Sequence, residues 1–82
     1  MLNRAAGHRD RLRRALGAAF RKLRRDRHYI QRDVSKRAGV AVGVISDFEN
    51  GKTGISVEVF DALCSAIRTN AAIVLGNALE EC

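Results

Sequence analysis

The chain has 82 residues, enough for one small domain with a modest core. Its two cysteines, Cys64 and Cys82, form neither a disulfide framework nor a metal-ligand spacing, and no stretch approaches the ~20 apolar residues of a membrane span. The net charge of +6 is unevenly spread: residues 1–37 hold thirteen Lys and Arg against three Asp, whereas residues 38–82 hold two against six acids. A basic half of this kind suits a polyanion, with the acidic half facing elsewhere.

Taken in order, residues 1–8 read as a frayed basic arm, of the kind that in some proteins enters a minor groove. Asn3 could instead cap an early helix, which Gly7 would weaken. Residues 9–82 form the domain. Leu12, Leu16, Phe20 and Leu23 recur at i, i+4, i+8 and i+11, with Ala15 and Ala19 beside them. That spacing predicts a helix from about Asp10 to Arg27–His28, with His28 placed favourably against the helix dipole. A second helix is predicted over Gln31–Arg37, with Val34 and Ala38 facing inward. Gly39 stands where a helix ending in a left-handed residue favours no side chain, and Val40 anchors the turn. A third helix is predicted over Val42–Glu49, with Ile45 and Phe48 inward and a stop at Asn50–Gly51.

Ser56 reads as the N-cap of a fourth helix reaching Arg68, with Glu58 in its first turn. Val57, Phe60, Leu63, Cys64 and Ile67 are spaced for its inner face, which makes Cys64 a small core residue. Residues 70–80 follow as a C-terminal dimerisation segment. Its alanines and an Asn70 cap speak for a helix. The β-branched Ile73 and Val74, with Gly76, speak for a strand paired across a dimer. In either form the apolar residues occupy more than one face, so a second copy is expected to cover Ile73, Val74, Leu75 and Leu79.

Two short helices joined by a tight turn let the second enter a DNA major groove. Gln31, Ala38–Gly39–Val40, Ile45–Ser46 and Phe48–Glu49–Asn50–Gly51–Lys52 together resemble the lambda-repressor/Cro-like (XRE-type) helix-turn-helix family, over about Leu16 to Ile67. Small members include restriction–modification controller proteins and phage or mobile-element repressors. The resemblance implies an all-α, compact five-helix lambda-repressor-like domain. It implies a cytoplasmic, homodimeric transcription regulator, in most cases a repressor, on a pseudo-palindromic double-stranded DNA operator. The family's phosphate-contacting positions fall on Gln31, Asn50 and Lys52, with Arg32 and Lys36 adding charge nearby. Its base-facing positions fall on Val42, Gly43, Val44, Ser46 and Asp47, and its structural ion pair on Arg24 and Glu49. Tyr29 stands where the family has an aliphatic residue.

The chain departs from the family on the reading helix. Val42, Gly43 and Val44 make no side-chain hydrogen bond to a base and offer contact to thymine methyls instead. Ala41 stands where a Ser or Thr cap is usual. An apolar reading helix also fits a second class, a protein-binding module (antitoxin or anti-regulator) that uses the fold on a protein partner. No nucleophile–base grouping, metal spacing or phosphate loop is visible, so neither an enzyme nor a cofactor is expected. The charged N-terminus has no apolar run after it and is not expected to act as a secretion signal.

Overall fold

The computed structural model describes residues 4–82, which form five α-helices: α1 Arg4–Asp26, α2 Gln31–Ala38, α3 Val42–Glu49, α4 Val57–Ala66 and α5 Ala71–Glu81. No strand occurs among the described residues. Phe48, on the last turn of α3, sits at the centre of the core. Its ring lies 5.9 Å from Phe20 of α1 and 6.0 Å, edge-on, from Phe60 of α4. Val34, Ile45, Leu63, Ile67 and Val74 bring α2, α3, α4, the α4 terminus and α5 to the same cluster. Each such side chain contributes about 1.5–3 kcal/mol through burial. Cys64 is part of this core; burial pushes its thiol up to about 11, with Asp61 adding to the rise, so it remains protonated and unreactive.

Helix ends follow the local chemistry. Ser56 Oγ accepts from Val59 N–H at 3.1 Å, and Asn70 Oδ1 accepts from Ile73 N–H at 3.0 Å. Gly39 closes α2 in the left-handed region at φ 69°. His28 and Arg68 take the same conformation, both at φ 63°, after α1 and α4. In both places the next residue's N–H reaches back to the preceding turn, Tyr29 to Arg24 O and Thr69 to Cys64 O. Two arginines then hold the carbonyl end of α4. Arg27 Nη1 donates to Ile67 O and Arg68 O at 3.1 and 2.6 Å, and Arg37 Nη1 donates to Ala66 O at 3.3 Å. Arg37 also lies over the Tyr29 ring, 5.2 Å from its centre.

Three expectations change, and of the two forms open at residues 71–75 the helix is found. The first helix begins at Arg4 rather than near Asp10, so residues 4–8 are helical, not an arm; residues 1–3 lie outside the described residues. Residues 71–75 are helix, because the Asn70 cap and the 3.6-residue period prevail over the β-branched pair. Val74 is fully buried inside the single chain and is not available to a second copy, whereas Ile73, Leu75 and Leu79 remain exposed. Val57 is 77% exposed: it is the first residue of α4, before that helix reaches the core.

Helix α1 crosses the end of α3 at Gly17, which is buried. A Cβ at Gly17 would run into the Phe48 carbonyl, so α1 approaches α3 backbone to backbone. One turn earlier, Arg14 packs on Gly51, which sits at φ 72°. Gly17→Ala gains helix propensity yet is expected to destabilise the fold by about 1–3 kcal/mol through overpacking. Urea denaturation measures this; unchanged or increased stability would contradict the close crossing.

Candidate nucleic-acid interface

The interface is built outward from a buried charge pair. Arg24 on α1 is 6% exposed and Glu49 at the end of α3 is 4% exposed. The guanidinium fork meets the carboxylate twice, Nε to Oε2 at 2.7 Å and Nη2 to Oε1 at 2.9 Å. Nη1 donates to Tyr29 O at 2.7 Å. Glu49 Oε1 also accepts from Gln31 Nε2 at 3.1 Å, at the first residue of α2. This network joins α1, the start of α2 and the end of α3. Two charges taken out of water are tolerable only when hydrogen-bonded, and here each side-chain nitrogen of Arg24 and each carboxylate oxygen of Glu49 has a partner. The network leaves Gln31 half-buried and held in one direction, with its second amide proton available to an outside acceptor.

On α3, Ile45, Phe48 and Glu49 are buried. At 100° per residue, the opposite face centres on Gly43, Ser46, Asp47 and Asn50, with Val42 and Val44 on its flanks. Val42 and Val44 are 41% and 42% exposed. Nothing stands within 4 Å of where a Gly43 side chain would begin, so backbone can approach there. Asn50 Nδ2 reaches Ser46 Oγ at 3.5 Å, and Asp47 is half-buried. Arg32, Lys36, Asn50 and Lys52 are exposed. Neither α2 nor α3 has a side-chain cap, at Ile30 and Ala41 respectively, so no side chain occupies the first-turn N–H groups. Free first-turn N–H groups favour a phosphate.

The basic residues thus separate by task. Arg24, Arg27 and Arg37 are engaged in holding the fold, and Lys22 pairs with Asp26 at 3.1 Å. Arg32, Lys36 and Lys52 make no ion pair among the described residues. Two site features were not foreseen from sequence. One is the Gln31–Glu49 bond. The other is Arg13, whose Nε donates to Gly51 O at 3.0 Å and fastens α1 to the loop carrying Asn50 and Lys52. A glycine inside an amphipathic helix, as at Gly17, was the available signal that α1 passes close to something.

Among the described residues no group of three or more His, Cys, Asp or Glu is placed to hold a metal, and no single helix is long and apolar enough to cross a membrane.

Two short helices across a glycine turn, both without a side-chain N-cap and the second with an outward face, define a helix-turn-helix domain. A helix-turn-helix family profile matches residues 20–74. Two solved structures are similar, both of the clp gene regulator ClgR from Corynebacterium glutamicum. One superimposes with a TM-score of 0.82 at 34% identity, covering 85% of this chain and 74% of that one. The other gives 0.80 at 35% identity, covering 84% and 88%. No curated protein sequence matches. The chain belongs to the XRE-type helix-turn-helix family, whose regulators bind DNA.

Glu49→Ala would strand the Arg24 charge and release Gln31. The expected loss is about 3–5 kcal/mol of stability, a large part of the ~5–15 kcal/mol of a small domain. Base preference in the folded fraction should not change, because neither partner faces a base. Urea denaturation with binding-site selection on the variant checks both. A loss under about 1 kcal/mol, the range of surface pairs, would mean the pair is not buried in solution.

Proposed function

We propose that the protein regulates transcription, as a repressor, by binding a pseudo-palindromic operator as a homodimer in the cytoplasm. The observation that supports this is the exposed outward face of α3 together with Gln31 held at the start of α2 by the buried pair, with Arg32 and Lys36 exposed on α2 and Asn50 and Lys52 exposed just after α3. Phosphate neutralisation and counterion release supply most of the affinity, and α3 supplies the reading. Val42 and Val44 favour thymine methyls, Ser46 and Asp47 select a further base, and the remaining selectivity comes from DNA shape between half-sites about one turn apart. From the ClgR likeness we carry over a regulator's role and not its target genes. Catalysis has no part in this reading.

The dimer rests on α5. Ile73, Leu75 and Leu79 are 49%, 39% and 51% exposed on an 11-residue helix whose inner face is already filled by Val74 and Ala78. Large apolar side chains left on a small domain's surface favour a second copy that buries them. Leu75→Glu or Leu79→Glu is expected to shift the protein to monomer and to weaken operator binding cooperatively, with the fold retained. Analytical ultracentrifugation measures this, and a wild type that sediments as a monomer at micromolar concentration would contradict the dimer.

Log affinity should fall with log salt by roughly 0.9 per phosphate neutralised. Lys52→Ala should lower that slope and weaken every sequence about equally, in a gel-shift titration on the protein's own promoter region. The exposed, apolar Val42 and Val44 also fit a protein partner. That second reading takes over if no duplex shifts while Val44→Asp abolishes capture of a partner.

A further inference from the structure

Helix α1 starts at Arg4, whereas the family profile starts at residue 20. The intervening stretch precedes the part that the profile matches. Its inner half has a structural reason: Leu16 touches the core and Gly17 crosses α3. Its outer half has none of that kind, since residues 8–11 are exposed and Leu12 lies outside the core cluster. About 20 Å of helix, at 1.5 Å per residue, runs from Gly17 back to Arg4. It contributes to a molecule 44 Å long and only 23 and 19 Å across.

The charge on this segment is one-sided. Arg9, Arg11, Arg13 and Arg14 face a single acid, Asp10, which is taken by Arg13 at 3.1 Å. Arg9, Arg11 and Arg14 make no ion pair among the described residues. The first turn of α1 carries no acid to offset the positive end of the helix. Arg9 and Arg13, four apart, and Arg11 and Arg14, three apart, are like-charged neighbours on the helix surface and repel, and burial supplies nothing in return out there. The direction of the segment is set by Arg13, whose Nε bond to Gly51 O places it beside Asn50 and Lys52.

We infer that the arginine-bearing outer half of α1 is a second DNA-contacting element, lying along the sugar–phosphate backbone that adjoins each half-site. The inference rests on the DNA-binding reading above. Phosphates remove the self-repulsion, and Arg9 to Arg14 extend over about 7.5 Å of helix axis, which spans the phosphates of about two base-pair steps at 3.4 Å per step. These contacts carry no sequence information and extend the bound site beyond what α3 reads.

The test is the triple variant Arg9→Gln, Arg11→Gln, Arg14→Gln, with folding verified by circular dichroism and urea midpoint. The probe is a duplex recovered by selection from a random pool with the wild-type protein. Hydroxyl-radical footprinting should lose backbone protection next to each half-site and keep it over the half-sites. The slope of log affinity against log salt should shrink by about 0.9 for each phosphate no longer neutralised, so about 2–3 per subunit. Selected base preferences should not move. An unchanged footprint and slope would overturn the inference while leaving the DNA reading intact. So would a change in sedimentation of the variant, which would make this segment an interface between copies. If the wild type retains no duplex from the pool, both readings fall together.

Discussion

The buried Arg24–Glu49 pair is the constraint on which the rest of the molecule depends. Glu49 ends α3, Arg24 lies in the last turn of α1, and Gln31 opens α2. A carboxylate that deep in a small domain is stable only if guanidinium and amide donors meet it in one geometry. The pair therefore sets how α3 stands relative to the start of α2, which is the relation a duplex backbone would sense. Phe48, one residue earlier, turns the same short segment into the centre of the apolar core. Gly17 lets α1 lie close enough for both contacts to form. Charge pairing and packing thus converge on a single turn of helix.

The arginine-rich composition has more than one use. Arg27 and Arg37 satisfy the carbonyls at the end of α4, where a cation also suits the dipole. Arg24 is engaged internally. Arg32 and Lys36 remain exposed on α2, Lys52 just after α3, and Arg9, Arg11 and Arg14 on the first half of α1. A count of positive charge alone overstates what is left for a polyanion. Position and hydrogen bonding decide it.

Much of the fold was legible because its punctuation is local. Gly39 and Asn50–Gly51 mark helix ends, Ser56 and Asn70 mark helix starts, and the Leu16–Phe20–Leu23 spacing marks an inner face. The Arg24–Glu49 pair was reached only through the family resemblance, since nothing local relates residues 25 apart. Faces proved harder than boundaries. Val57 has the right spacing for the core of α4 but stands before the helix reaches it. Val74 and Leu75 are adjacent and equally apolar, and only the packing of α5 on α1 and α4 determines which one turns inward. The early start of α1 was masked by Gly7, whose low helix propensity is outweighed once the helix is nucleated further along. Gln31's bond to Glu49 and Arg13's to Gly51 are tertiary, and no local pattern announces them.

If the buried pair acts on DNA binding by holding Gln31, the two residues must be coupled in affinity. The direct measurement is a double-mutant cycle of Gln31→Ala and Glu49→Ala, read as duplex affinity for folded protein at one fixed salt concentration. The expected result is a coupling of about 1 kcal/mol or more, with Gln31→Ala costing little once Glu49 no longer orients the amide. Additivity within about 0.3–0.5 kcal/mol would contradict it, leaving the pair as a stabiliser of the fold with no hold on the DNA contact.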